Sequence, residues 1–314
     1  MFNVHRSSRR SAVPKMLLIA SALILQPLAT SASAQAIRSL AGFRSNTLQA
    51  NDDGSAAAFP IFEVNFFGIK FSSVYVNNNG NVTFGAPLAT FTPFGLTTAI
   101  GRPIIAPWFA DVDTRGTTGL GSGSGGGNAG NLAQLYAGSG LVTYGLDTFS
   151  GHSAFGVNWF SECGFWTGAG AGPTCTGNTG VGYFADHVDK LNAFQLILIE
   201  RSDVAAGDFD FEMNYACKEN WETGDASGGT GGLGGSSVRI GYSNGTGVAG
   251  TNYEKPGSGV NGAFLGTRTD GCRDTYSVRG GVVTPPSVVS PEPASLALIA
   301  TGLVLIGIVR RRRA

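Results

Sequence analysis

Hydrophobic and polar residues alternate along several short stretches of the chain, and this alternation predicts β-strands. The clearest case is residues 208–215, where phenylalanine, methionine and tyrosine alternate with aspartate, glutamate and asparagine. A period of two places the apolar side chains on one face of a strand and the polar ones on the other. Residues 155–159 alternate similarly. Residues 194–199 (FQLILI) are almost wholly apolar, which favours a strand covered on both faces but also fits a turn of buried helix.

A β-hairpin is predicted in residues 73–85, where apolar residues alternate with polar ones on either side of Asn79-Gly80. The Asn-Gly pair favours a two-residue type I′ turn, because both central positions of that turn require a positive φ. No amphipathic helix longer than two turns is evident in residues 35–290. The pattern therefore predicts a mainly β protein with a single sandwich-like antiparallel β domain.

Glycine accounts for 48 of the 314 residues and is concentrated in residues 116–130 and 224–235. Glycine contributes no side chain to a core and loses much conformational entropy when it is ordered. Both segments are therefore interpreted as Gly-rich surface loops of the β domain.

The first 34 residues have the layout of a secretory signal peptide. Basic residues precede an apolar run over residues 16–25, and Ala32-Ser33-Ala34 supplies the small residues of a cleavage site. An uncleaved anchor helix is the alternative, but the run is short for a hydrocarbon core of about 30 Å. We expect residues 1–34 to be removed and the chain to be exported.

A second apolar stretch, residues 294–309, contains no charged residue and is followed by four arginines. As a helix it would be about 24 Å long, enough to cross a thin bilayer when the arginines reach the headgroups. Pro291, Glu292 and Pro293 lie directly before it. This order resembles the PEP-CTERM sorting signal of bacterial surface proteins, and the resemblance implies an exosortase that processes the tail near these three residues. A plain membrane anchor after a Pro-rich stalk is the alternative.

The predicted organisation has four parts: a signal peptide (1–34), a β domain (35–283), a Pro-rich stalk (284–290) and a sorting signal with a transmembrane helix (291–314). Residues 35–290 hold 13 basic and 20 acidic residues, so their net charge is −7. Nucleic-acid binding needs a positive surface, so this charge argues against a nucleic-acid partner.

Four cysteines, Cys163, Cys175, Cys217 and Cys272, suit an exported protein, because disulfides persist in oxidising compartments. Three pairings are possible. We favour Cys163–Cys175, which would close a hairpin-like insert, and this leaves Cys217–Cys272. A zinc site is disfavoured, because the C-x₂-C spacing is missing.

Several sequence blocks resemble the nidogen-like (NIDO) extracellular domain, among them YVNNNGNVTFG (75–85), IIAPWFADVDTR (104–115) and GDFDFEMNY (207–215). Further blocks in the same order extend the resemblance over about residues 50–280. It implies an extracellular module linked to cell–matrix adhesion, with no catalytic residue. No cofactor is predicted. The insert that carries Cys163 and Cys175 departs from the family pattern at one connection.

Two clusters of acidic residues are weak candidates for calcium binding, because calcium prefers oxygen ligands. Asp111 and Asp113 lie on one face of an extended segment, about 6.6 Å apart along the chain. The alternative is a solvated strand end, with Asp113 paired to Arg115 or capping a turn. Asp208 and Asp210 form an acidic row with Glu212 on the polar face of the chain's clearest strand.

The acidic row allows three interpretations. It could bind calcium, supply a carboxylate pair for glycoside hydrolysis, or form an exposed strand face paired with Arg201 and Arg239. Hydrolysis is disfavoured, because no carboxylate lies in an evidently apolar context that would raise its pKa. The aromatic residues Phe165, Trp166 and Trp221 flank glycine-rich loops and could either stack on sugars or cap the core.

These observations predict a non-enzymatic, exported cell-surface protein that mediates adhesion to extracellular matrix or exopolysaccharide. The predicted partners are that matrix, an exosortase at the tail, and the membrane through residues 294–309. The alternative is a secreted hydrolase that acts on extracellular polysaccharide.

Overall fold

The computed structural model describes residues 36–114, 141–160, 181, 190–216, 218–267 and 272–284 of the chain. Two 3₁₀ helices lie in this part, η1 (Ala41–Arg44) and η2 (Asp225–Ser227). Its strands are β1 (Asn46–Thr47), β2 (Phe59–Phe66), β3 (Ile69–Asn77), β4 (Asn81–Thr83), β5 (Ile104–Phe109), β6 (Val142–Phe149), β7 (His152–Trp159), β8 (Phe194–Glu200), β9 (Phe209–Tyr215), β10 (Lys218–Glu219), β11 (Gly229–Thr230), β12 (Leu233–Gly234), β13 (Arg239–Ser243), β14 (Asn252–Glu254), β15 (Gly266–Thr267), β16 (Arg273–Arg279) and β17 (Val282–Thr284).

Two antiparallel sheets make up most of this fold. One sheet has the strand order β1-β6-β7-β8-β9-β16-β17, and the other has the order β14-β13-β5-β4-β3-β2. Two further ladders, β10-β15 and β11-β12, have two strands each. The mainly β, antiparallel fold expected from the period-two pattern is confirmed.

Aromatic side chains from both sheets meet in one core, as in a β-sandwich. Ring centroids are 6.1 Å apart for Phe66 and Phe209 and 5.9 Å apart for Tyr242 and Phe211, and each pair joins the two sheets. The apolar residues of β9 all belong to this core cluster. The alternation in residues 208–215 therefore did identify the buried face of a strand.

Strand β8 is buried on both faces, as the apolar run at 194–199 suggests, and the helical alternative is wrong. On one face Phe194 and Leu196 join the sandwich core. On the other face Ile197 packs with Phe43 of η1 in a separate cluster. A Cβ on Gly156 of β7 would lie 2.2 Å from the Phe43 ring, so this glycine makes room for the aromatic cover.

The hairpin at 73–85 is confirmed, but its predicted two-residue turn is wrong. Asn77 pairs with Asn81, so the loop consists of Asn78, Asn79 and Gly80. Gly80 has a φ of +72°, whereas Asn79 is not in the positive-φ region. Asn78 and Asn79 are instead used for contacts between loops. The indole N–H of Trp159 donates to the carbonyl oxygen of Asn78 at 3.0 Å.

The other predicted segments either differ from the prediction or lie outside the described residues. Residues 224–235 form a more regular structure than the predicted loop, because η2, β11 and β12 occupy them. The signal peptide, residues 116–130, most of the stalk and the sorting tail lie outside the described residues. Among the residues that the structure does describe, no helix is long and apolar enough to span a membrane. The helix predicted at 294–309 is not among them.

Candidate functional site

Three loops meet at the end of the β3–β4 hairpin. They are residues 51–54, the hairpin's own turn (residues 78–80) and residues 110–114. The side-chain amide of Asn78 donates to the carbonyl oxygens of Asp52 and Val112. Asn79 donates from Nδ2 to Asp53 Oδ1 at 2.9 Å and accepts the Val112 N–H at 2.8 Å. The two asparagines thus hold the first and third loops together, a role that the NNNG motif does not reveal when it is considered only as a turn.

Three carboxylates converge where these loops meet. Asp52, Asp53 and Asp111 each place an oxygen so that these atoms lie within 4.8 Å of one another. Asp111 is 4% exposed. Asp111 was predicted as a candidate ligand from the sequence, but Asp52 and Asp53, which lie 58 residues or more before it, were not. The only local signal for them is the polar stretch Asn51-Asp52-Asp53-Gly54.

Burial raises the pKa of Asp111 to about 8, and the negative charges of Asp52, Asp53, Asp113 and Asp225 add to the effect. Removing a carboxylate from water disfavours its charged form, and nearby carboxylates act in the same direction. The expectation that no carboxylate lies in a setting that raises its pKa is therefore wrong.

Asp113 is also buried, with 2% of its surface exposed. It lies close enough to raise the pKa of Asp111, but it does not belong to the group of three converging carboxylates. The alternative of a solvated strand end is wrong for both residues. The suggested pairing of Asp113 with Arg115 involves a residue outside the described ranges and stays a prediction.

The loop at residues 224–225 packs against this cluster. A Cβ on Gly224 would lie 2.4 Å from Oδ2 of Asp111. Gly224 is therefore the residue that lets the backbone approach the carboxylate. Asp225 follows at the start of η2 and contributes to the raised pKa of Asp111.

The second candidate group, on and beside β9, is paired with arginines. Asp210 bonds to Arg201 at 2.8 Å and to Arg279 at 2.7 Å. Glu212 bonds to Arg38 at 3.1 Å. These ion pairs favour pairing with arginines over calcium binding or catalysis, but the predicted exposure of this face is wrong, because Asp208 and Glu212 are buried.

Asp208 and the two arginines predicted to pair with the acidic row differ in outcome. Asp208 accepts the Gly280 N–H at 2.8 Å. The predicted partner Arg201 is confirmed, but Arg239 is wrong, because it pairs with Glu254 at 3.3 Å. The structure does not bring Asp208 and Asp210 together with Asp111.

Trp221 is fully buried, and its indole N–H donates to the carbonyl oxygen of Val181 at 3.0 Å. Its ring lies edge-on to Trp108 with centroids 6.4 Å apart. Trp221 therefore caps the core and is not a sugar-stacking surface. Phe165 and Trp166 lie outside the described residues.

The pairing of β9 with β16 brings the segment just before Cys217 close to Cys272. Asn214 pairs with Arg273, and the Tyr215 N–H donates to the carbonyl oxygen of Cys272 at 2.8 Å. Cys163, Cys175 and Cys217 lie outside the described residues. Both predicted disulfides therefore stay predictions.

A shallow groove of about 430 Å³ lies at one end of the six-stranded sheet, where β3 and β5 begin and β4 and β13 end. Its lining is mainly apolar side chains and backbone, with Arg102 as its charged residue and no carboxylate. The Arg102 guanidinium donates to the carbonyl oxygen of Pro87. This groove lacks the pair of acids that glycoside hydrolysis needs.

A family model, the nidogen-like domain, matches residues 72–269. The chain belongs to the nidogen-like domain family. The match begins in β3 and ends shortly after β15, so it includes Asp111, Asp113 and Asp225, whereas Asp52 and Asp53 precede it. A second family model, the PEP-CTERM protein-sorting motif, matches residues 291–313. Both resemblances found in the sequence are confirmed.

Curated relatives extend the comparison of this nidogen-like chain. Alpha-tectorin of Mus musculus and of Homo sapiens is 32% identical over 214 residues, and alpha-tectorin of Gallus gallus is 29% identical over 199 residues. These alignments cover 62% of this chain but about 8% of each tectorin. No solved structure matches the chain significantly. The nidogen-like domain and the sorting motif together support an exported protein of the cell surface or envelope.

Proposed function

We propose that this protein is a non-enzymatic adhesion module of the bacterial cell surface, which binds extracellular matrix or exopolysaccharide. The proposal is carried by one observation: a nidogen-like domain at residues 72–269 and a sorting motif at residues 291–313 occur in the same chain. A domain of this family that is carried to the cell surface by a sorting tail would be placed where it can bind extracellular material.

The sorting step follows from the order of the segments. Residues 1–34 direct export, residues 294–309 hold the chain in the membrane, and an exosortase then processes the tail near Pro291, Glu292 and Pro293. The β domain and the Pro-rich stalk remain outside. Their net charge of −7 over residues 35–290 favours polar or cation-bridged contacts over direct attraction to acidic polymers.

A strain that lacks this protein tests the proposal. We expect weaker attachment and weaker biofilm cohesion, restored when the full chain is supplied. A chain with Pro291→Ala, Glu292→Ala and Pro293→Ala is the matched control, because its β domain is intact but its sorting motif is not. It should be expressed without restoring attachment. Attachment that is unchanged in the deletion strain would contradict the proposal.

A hydrolase remains the second candidate, because of Asp111. A carboxylic acid with a raised pKa beside other carboxylates is the arrangement that general-acid catalysis uses in glycoside hydrolases. The near-complete burial of Asp111 weighs against it, since a sugar must reach the acid. Turnover of exopolysaccharide by the purified full chain, lost in Asp111→Asn, would support this candidate over adhesion.

A further inference from the structure

We propose that Asp52, Asp53 and Asp111 bind one Ca²⁺ ion, which ties the loop at residues 51–54 to the loop at residues 110–114. This site is independent of what the protein adheres to. It combines two acidic residues that precede the nidogen-like match with one inside it.

The state of Asp111 is the first reason for a ligand at this position. Its side chain is 4% exposed, and it makes no hydrogen bond or ion pair in the part of the chain that the structure describes. A buried carboxylate without a compensating partner is costly. Two other buried carboxylates of the fold have such partners: Asp274 bonds to Lys255 at 2.7 Å, and Glu222 accepts the Gly262 N–H at 2.6 Å. Asp111 points instead towards Asp52 and Asp53.

The spacing of the oxygens is the second reason, because it is compatible with Ca²⁺. Ca²⁺ takes oxygen ligands at roughly 2.3–2.6 Å, so two oxygens of one site can be up to about 5 Å apart. The three carboxylates place oxygens within 4.8 Å of one another. Mg²⁺ binds oxygen at about 2.0–2.1 Å, which limits that separation to roughly 4.2 Å. The bound of 4.8 Å is compatible with Ca²⁺, and Ca²⁺ accepts a site built from protein oxygens more readily than Mg²⁺, which usually keeps several waters.

Contacts around the carboxylates hold them in place without an ion. Asn79 fixes Asp53 through its side-chain amide, and Asn78 fixes the backbone of Asp52. The Gly54 N–H donates to Oδ1 of Asn51 at 2.6 Å, which closes the loop that carries both residues. Partners behind the ligands orient them and so increase affinity. Gly224 packs against the Asp111 side chain, because a Cβ at this position would lie 2.4 Å from Oδ2 of Asp111.

The experiment uses the purified full chain in detergent after treatment with a chelator. Calorimetric titration with CaCl₂ should give one site per chain, with Kd on the order of 10⁻⁴–10⁻³ M, as in extracellular calcium modules. At a hundredfold excess over Kd, the melting temperature should rise by roughly 5–10 °C. MgCl₂ at the same concentration should raise it by less.

Two variants and one control complete the test. Asp111→Asn replaces the buried carboxyl group with an amide, and Asp53→Asn alters a half-exposed ligand whose loss the fold should tolerate. Both should weaken Ca²⁺ binding at least tenfold and remove most of the thermal shift. Asp274→Asn is the matched control, because it alters another buried aspartate: it should lower the melting temperature with or without Ca²⁺ yet keep the shift.

Three results would overturn the proposal. One is a wild-type chain that shows neither heat of binding nor thermal shift with CaCl₂. Another is a shift that persists in both aspartate variants, which would place the ion elsewhere. The third is a larger response to MgCl₂ than to CaCl₂. Because none of these measurements uses attachment, they remain valid if the adhesive function is wrong.

Discussion

At the scale of single residues, Gly80 is constrained by both its conformation and its surroundings. Its φ is +72°, and a Cβ there would lie 1.7 Å from the carbonyl oxygen of Trp108. Gly85 has a similar φ of +82° but nothing within 4 Å of its Cβ position. Gly85→Ala should therefore cost only the conformational penalty of about 1–2 kcal/mol. Gly80→Ala should cost a further ~1–3 kcal/mol, because the backbone must move.

Urea unfolding of the two alanine variants measures this difference, because each free energy of unfolding is obtained from the same linear extrapolation. Equal losses in the two variants would contradict the close approach to Trp108. The Asn-Gly pair predicts the turn from sequence, but the contact with Trp108 depends on a strand that starts more than twenty residues later.

Glu222 gives a residue-scale prediction that depends on pH. Burial raises its pKa from 4.5, while the N–H groups of Phe264 and Gly262 oppose that shift. A raised pKa means that the folded chain holds this proton more tightly than the unfolded chain. The stability that this group contributes is therefore full below about pH 4.5 and is lost as the pH rises through the raised pKa.

Glu222→Gln should destabilise the fold by about 1–3 kcal/mol, because an amide nitrogen would then face a buried N–H group. The destabilisation should be larger near pH 4 than near pH 8, since only the wild type has the Glu222 carboxyl, whose contribution to stability is lost over that range. Urea unfolding at both pH values measures it. Glu63→Gln is the control, because Glu63 forms an exposed pair with Lys70 whose loss should cost under about 1 kcal/mol. The same Glu222→Gln loss at both pH values would contradict the prediction.

At the scale of elements, the ends of β9 and β16 predict one disulfide. The Tyr215 N–H bonds to the carbonyl oxygen of Cys272, and Cys217 follows two residues later. We expect a Cys217–Cys272 bond, whose removal in Cys217→Ser should cost about 2–5 kcal/mol. Peptide mapping without reduction should recover the two cysteines in one linked peptide pair. A link from Cys217 to Cys163 or Cys175 would contradict this prediction.

Strands could be predicted from the sequence where one face is apolar, because a period of two is visible over a few residues. The period found β9 and the β3–β4 hairpin, and the apolar run found β8. The period did not predict that Phe43 packs on the outer face of β8, because Phe43 lies 154 residues before Ile197. Only Gly156 indicates that a ring packs on that face. The turn length was wrong for a related reason: Asn78 and Asn79 bond to other loops.

At the scale of the whole molecule, local motifs indicated the family and the sorting tail, but the carboxylate site was only half predicted. Asp111 and Asp113 follow a buried strand and are recognisable. Asp52 and Asp53 join Asp111 through the pairing of distant loops, which neither spacing nor composition reveals. The raised pKa of Asp111 has the same origin, because it results from tertiary burial and from charges of other segments.

We propose that the chain is exported, sorted through its tail and displayed as a nidogen-like module. Mass spectrometry of both termini of the protein recovered from intact cells tests these steps together. We predict a mature chain that starts close to residue 35, ends before the apolar segment at 294–309, and is digested by protease added outside the cell. An unprocessed 314-residue chain in the cytosol, protected from that protease, would contradict the account.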